Sequence, residues 1–411
     1  MLEELFRLSQ NFIRINNRDY IRYFLKSNPL KSRFSIVVGQ RGVGKTTAVI
    51  QHILSSYDND IFTDKALYIQ TDHFLVGNKS LYEIAEQFYN LGGELICFDE
   101  IHKYPGWSTE LKSIYDTFPR LTIAASGSSA LEIFRGSRDL SRRAVVFRMH
   151  GMSFREFIEL ELDINLNSIS IKEITKNHQR GARDIISAVE KRRKKILALF
   201  KEYLKAGYYP YFREYKNKYL FYLTLEQNIH TTLESDLIAI YPSLSGNSIK
   251  KIKKLLSIIA SSVPFTPDLK KLKTMLDIGD ERTLKAYLKY LEDAGIILTV
   301  SRSGKGLREL EKPEKIYLNN PNLIYAISSH TPVNTGNLRE TFFINMASSS
   351  YKVTAPGRGD FLVNGKFTFE IGGKNKDFNQ IKDIKNSFLA VDDIEIGVGN
   401  KIPLWLFGFL Y

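Results

Sequence analysis

Short apolar runs alternate with helical patterns over the first 150 residues. Runs at 34–38, 66–70, 95–98 and 121–125 have the length of buried strands, and the periodicity between them gives helices, one from 45 to about 55. Residues 1–30 are also patterned as helix. Strands separated by helices imply a parallel sheet with crossover connections. From 153 to about 240 the period is helical, with a polar stretch at 165–180 that reads as a loop and a basic run at 191–195 that reads as a solvated helix face. Residues 249–323 hold three short helical patterns, a strand at 296–301, a glycine-bearing turn and a strand at 315–318, the order of a winged helix. The Asn-, Pro-, Ser- and Thr-rich stretch 320–336 reads as a linker. A helix at 338–347, a strand pair around Asn364-Gly365, a helix near 380–388 and an apolar C-terminal strand follow. The expected division is a parallel-sheet α/β unit at 1–150, a helical connector at 151–240, a winged helix at 241–325 and a small α/β unit at 335–411.

The first apolar run leads into Gly39-Gln40-Arg41-Gly42-Val43-Gly44-Lys45-Thr46, a full match to G-x-x-x-x-G-K-[ST] between a strand and a helix. The glycines let backbone N–H groups turn toward phosphate oxygens, and the helix adds its positive end. Residues 39 to 46 and the next residue, Thr47, are the expected ATP-binding segment, with Lys45 on the β- and γ-phosphates and Thr46 on Mg²⁺. The run at 95–98 ends in Asp99-Glu100. Asp99 is placed to hold Mg²⁺ and Glu100 to polarise the attacking water, which favours hydrolysis over phosphoryl transfer. Ser126 follows the run at 121–125 and is a candidate sensor of the γ-phosphate, provided its strand lies between the other two. Arg142 and Arg143 are candidates to stabilise transition-state charge, in their own or a neighbouring subunit.

Composition adds direction more than detail. With 58 Lys and Arg against 45 Asp and Glu, the net charge of +13 favours polyanionic partners. The single cysteine, Cys97, lies in an apolar run and reads as a buried thiol, as in a reducing cytoplasm. The start of the chain lacks the basic and apolar regions of a secretion signal, and no apolar stretch reaches a membrane span, so a cytoplasmic protein without a membrane partner is expected.

Within the winged-helix pattern, residues 280–293 place Leu284, Tyr287, Leu288 and Leu291 on one face and Arg282, Lys285 and Lys289 on the other, with Asp280 as cap and Gly295 as stop. Such a helix can enter the major groove of double-stranded DNA while Arg302 and Lys305 on the wing meet phosphates. A module that binds a protein partner or self-associates is the competing reading.

The stretches Phe-Asp-Glu-Ile-His-Lys-Tyr-Pro-Gly-Trp at 98–107, Ser-Gly-Ser-Ser-Ala at 126–130, Leu-Ser-Arg-Arg-Ala at 140–144 and Ser-Phe-Arg-Glu-Phe at 153–157 together resemble a family of bacterial and archaeal AAA-type ATPases. Its members usually carry a C-terminal domain of unknown function with a winged helix and a restriction-endonuclease-like unit. Asp99, Glu100 and Ser126 fall on family positions. Arg143 falls on the family arginine, although Arg142 stands where a glycine is common, and Gly207-Tyr208-Tyr209-Pro210 looks like a variant of a family turn. The resemblance implies an AAA-like P-loop sheet, then a helical and winged-helix region, then a small restriction-endonuclease-like unit, with Mg²⁺-dependent ATP hydrolysis as the activity. A nucleotide-driven switch on a protein partner and an ATP-regulated nuclease remain alternatives. In the last unit Asp360 and Glu370 resemble the carboxylates of a nuclease metal site. Alternation of Phe361, Val363, Phe367, Phe369 and Ile371 sets Val363 opposite Phe367 and therefore Asp360 opposite Glu370. Glu340 is a candidate third acid, and Lys374 would have to reach back, because Gly372 stands where such nucleases carry lysine. A folded nuclease-like unit of weak or no activity is expected.

Overall fold

The computed structural model describes residues 2–77, 79–127, 140, 142–241, 243–261, 265–302, 313–327 and 333–411. They form two compact units, Met1–Gly151 and Met152–Tyr411.

In the first unit five parallel strands, β1 (Phe34–Val38), β2 (Ala66–Gln70), β3 (Leu95–Asp99), β4 (Thr122–Gly127) and β5 (Val145–Arg148), lie in the order β2-β3-β4-β1-β5. Alternate side chains feed two apolar layers, as the period of two in a strand requires. Leu67, Ile69, Ile96 and Phe98 pack with the helices Leu81–Asn90 and Trp107–Thr117, while Ala66, Tyr68, Cys97 and Ala124 meet the helix Lys45–Ser56. Strand β4 thus lies between β3 and β1, so the ends of β1, β3 and β4 meet at one edge of the sheet. Cys97 is buried, as its apolar run suggests.

The second unit opens with helices Phe154–Leu162, Ile171–Lys191, Ile196–Ala206 and Lys218–Thr231. The polar stretch 165–180 is not all loop. Ser170 and Glu173 form a capping box that starts a helix at Ile171, whose Ile171, Ile174, His178, Ala182, Ile185 and Val189 supply a narrow buried stripe. Helices Gly246–Ser261, Leu269–Met275 and Glu281–Asp293 precede the antiparallel pair β6 (Ile297–Val300) and β7 (Lys315–Leu318). The linker expected at 320–336 is corrected for its first half. Asn320 and Asn322 are fully buried, and Pro321–Ile327 is a helix. Asn322 donates to the carbonyls of Tyr203 and Leu204 and accepts from the Tyr208 N–H, so polar composition here marks satisfied interior amides.

After the helix Thr335–Ser348, strands β8 (Val353–Thr354), β9 (Phe361–Val363), β10 (Phe367–Gly372), β11 (Ser387–Val391) and β12 (Lys401–Pro403) form a mixed sheet in the order β12-β11-β10-β9-β8. Val363 pairs with Phe367 across the Asn364-Gly365 turn, whose two residues have φ of 52° and 63°. This is the register that alternation predicts. The helix expected near 380–388 is instead a series of turns leading into β11, where Ser387 and Leu389 to Val391 are buried. The C-terminal apolar run is largely a 3₁₀ helix, Leu404–Phe409, because buried positions on consecutive residues do not alternate as one strand face would. Among the described residues no helix is long and apolar enough to cross a membrane.

Candidate active site

The phosphate loop joins β1 to the helix Lys45–Ser56, with Gly44 at the N-cap in a left-handed conformation (φ 100°) that a side chain would strain. Lys45 is 4% exposed, and its ammonium donates to the carbonyls of Gly39 and Gln40 at 3.0 and 2.9 Å. Those contacts hold the cation against its own loop, where a phosphate can draw it away. Val43 is buried, while Gln40, Arg41, Gly42, Thr46 and Thr47 are part-exposed around the loop and the first helical turn. Arg22, which sequence reasoning passed over, donates to the Val43 carbonyl at 2.8 Å and the His150 carbonyl at 3.1 Å and ties the loop to the residues after β5. Burial and the guanidinium groups of Arg148 and Arg22 push the His150 imidazole down to about 4.

Asp99 lies at the end of β3 with 2% exposure. Thr46 Oγ1 donates to its Oδ2 at 2.7 Å, the Tyr68 hydroxyl donates to the same oxygen at 2.6 Å, and Ser126 Oγ donates to Oδ1. Tyr68 is the second residue missed in the sequence. Its one signal was a hydroxyl-bearing ring in the middle of a buried strand, and burial beside the Asp99 carboxylate pushes its phenol far up, so it remains a donor. Glu100 has a φ of 52°, unusual for a residue with a β-carbon, and its Oε2 lies 3.6 Å from His102 Nε2. Thr71 Oγ1 donates to the Asp99 and Glu100 carbonyls, each at 2.9 Å, and so fixes the turn that aims both acids.

Mg²⁺ takes hard oxygen donors and is commonly held by one or two carboxylates together with substrate phosphates. The Thr46 hydroxyl and the Asp99 carboxylate fit that donor set. Arg143 makes a two-pronged ion pair with Asp116, at 2.8 and 2.9 Å, on the last turn of the helix Trp107–Thr117. It faces this partner and none of the acids of the site.

The second unit holds a separate carboxylate cluster. Asp360 accepts from the Ile371 N–H at 2.9 Å, and Lys315 on β7 reaches its Oδ1 at 2.9 Å and Glu340 Oε2 at 3.4 Å. The Tyr317 hydroxyl donates to Glu340 at 2.6 Å. Glu370 is 5% exposed and pairs at 2.6 Å with Lys376, whereas Lys374 is exposed. The lysine at Glu370 is therefore Lys376. A Cβ at position 372 would sit 2.5 Å from Lys376 Cβ, so Gly372 leaves the path that this side chain takes. Burial raises the Glu340 and Glu370 carboxyls, Asp360 adding to both, while the lysines oppose the rise. Among the described residues no group of three acids, histidines or cysteines is arranged to hold a metal ion.

Arg282, Lys285 and Lys289 are exposed on the helix Glu281–Asp293, opposite the buried Leu284, Tyr287, Leu288 and Leu291. Lys289 pairs with Asp293 at 2.6 Å and Arg302 with Glu314 at 3.0 Å, while Lys305 lies outside the described residues.

A five-stranded parallel sheet, a phosphate loop after one strand and an acid at the end of another define a P-loop nucleotide-binding unit. Residues 31–158 match the AAA domain family, so this unit is similar to AAA-type ATPase domains, which supports nucleotide binding and hydrolysis in general. Residues 197–334 match a domain of unknown function, DUF8612. An uncharacterized protein of Methanocaldococcus jannaschii is 26% identical over 297 residues, which is 70% of this chain and 60% of that protein. The chain thus matches three-fifths of that relative's length. Two similar solved structures are a Walker-type ATPase of Pyrococcus abyssi (14% identity, 74% of this chain and 93% of that one, TM-score 0.36) and AMPPCP-bound DnaA from Aquifex aeolicus (13%, 71% and 91%, TM-score 0.27).

Proposed function

We propose that the chain is an ATP hydrolase dependent on Mg²⁺, with Gly39 to Thr47 on the phosphates, Lys45 on the β- and γ-oxygens, Thr46 and Asp99 on the metal and Glu100 as the group that orients the attacking water. The observation that carries this reading is the contact of Thr46 with Asp99 at 2.7 Å, which joins the phosphate loop and the acidic strand into one site. Bound Mg²⁺ supplies charge to neutralise the phosphate oxygens. Ser126 sits on the strand between the two and, through Asp99, is placed to register the nucleotide. Arg143 can act as a finger only after leaving Asp116. The test is phosphate release from ATP by the purified chain with Mg²⁺ and with excess EDTA; release that is unaffected by EDTA, or absent with Mg²⁺ present, rejects the reading.

Three helices followed by the β6–β7 pair have the order of a winged helix, and we propose double-stranded DNA as its partner. Arg282 and Lys285 support this, since both are exposed on the helix face opposite its buried residues. A protein partner is the outcome to read if DNA is not bound. The carboxylates of the C-terminal sheet, Glu340, Asp360 and Glu370, are proposed to form an inactive nuclease-like site, because Lys315 and Lys376 already supply the positive charge between them.

A further inference from the structure

We infer that Tyr68 is a positioning residue for the metal-binding acid of the ATP site, an inference that rests on the ATP hydrolase reading above. An ionised carboxylate offers about four lone-pair sites. Three of those on Asp99 are taken, by Thr46 and Tyr68 on Oδ2 and by Ser126 on Oδ1. Thr46 and Ser126 also stand where nucleotide arrives, so each has a second task. Tyr68 does not: it comes from β2, on the far side of β3 from the phosphate loop, and approaches Asp99 from there.

Its position is also fixed from outside the site. Tyr68 is 2% exposed, its backbone N–H donates to Ser9 Oγ at 3.0 Å, and its ring lies 5.8 Å from that of Phe12, both on the helix Leu2–Asn16. A donor anchored in that way holds the carboxylate plane still and leaves one lone pair for a metal-bound water. The N-terminal helix is thereby connected to the metal ligand through a single hydroxyl.

Binding of a fluorescent ATP analogue to the full chain, titrated with Mg²⁺, tests this in wild type, Tyr68→Phe and Ser9→Ala. Loss of a partner of a metal ligand commonly costs 10- to 100-fold in metal affinity, so Tyr68→Phe should need about tenfold more Mg²⁺ for half-saturation. Its affinity for the analogue in EDTA should match wild type. Ser9→Ala loosens the anchoring of the same residue but keeps the hydroxyl, so its Mg²⁺ requirement should rise by less than that of Tyr68→Phe. An unshifted Tyr68→Phe, or an equal shift in Ser9→Ala, overturns the inference and leaves the hydrolase reading standing. Failure of wild type to bind the analogue at any Mg²⁺ concentration removes both.

Discussion

Lys45 and Glu100 are two charged residues near one nucleotide site, and their surroundings separate their tasks. The Lys45 ammonium is buried at the start of the helix and donates to the carbonyls of Gly39 and Gln40 in the phosphate loop, where a phosphate would meet it. Glu100 is held by its left-handed backbone and by His102 beyond the loop. Lys45→Ala should therefore abolish ATP binding, while Glu100→Gln should bind ATP as wild type does and lose turnover by about 10²-fold or more, the scale of a general-base effect. Equilibrium binding and single-turnover hydrolysis on both variants distinguish the roles; equal loss of binding would refute the division. Lys45, Thr46, Asp99 and Glu100 were legible because the motif and the strand periodicity locate them without knowledge of any contact. Tyr68 and Arg22 were not, because their roles arise only when β2 and the N-terminal segment are brought against residues 31 and 21 positions away.

At the scale of elements, periodicity located strands better than polar composition located loops. The buried faces of β1 to β4 and the β9–β10 register follow from apolar alternation and run length. The stretches 165–180 and 320–336 misled because a capping box and buried asparagines carry the same residue types as a solvated loop. Lys374 is the first lysine after Gly372 and would have to reach back along an extended strand, yet the chain turns after Gly372 and brings Lys376 to Glu370. The helix Glu281–Asp293 shows how in-chain pairing narrows a sequence expectation. Lys289 already faces Asp293, so Arg282 and Lys285 should carry more of any DNA contact. Each phosphate contact contributes about 0.9 to the slope of log affinity against log salt. Arg282→Ala with Lys285→Ala should reduce that slope by about 1.8, and Lys289→Ala by less, in a salt series on duplex DNA. A slope unaltered by the double variant would exclude this helix as the contact.

Over the whole molecule, the two units respond to different conditions. Folding of the Met1–Gly151 unit holds His150 neutral down to about 4, against about 6.5 for an unperturbed histidine, and the depressed His52 acts in the same direction. Between those values the unfolded chain binds a proton that the folded unit refuses. The stability contributed by His150 is therefore complete above pH 6.5 and is lost as pH falls toward 4, at up to about 1.4 kcal/mol per pH unit. Thermal unfolding of the full chain at pH 7.5, 6 and 5 should show a midpoint falling less steeply in His150→Asn than in wild type, with parallel slopes counting against it. In the second unit the carboxylate cluster bears on the proposal that any DNA bound would be left uncut. A cleaving site needs a divalent cation among its acids to activate water and steady the leaving oxygen. Here the Lys315 ammonium bridges Asp360 and Glu340, Tyr317 occupies Glu340, and Lys376 occupies Glu370. A metal would have to displace those cations from partly buried pairs before it could reach the acids. The full chain incubated with linear and supercoiled DNA, first in Mg²⁺ and then in Mn²⁺, should leave both intact with or without ATP. Cleavage that disappears in Asp360→Ala would show instead that the lysines yield to metal and that the site is a working nuclease.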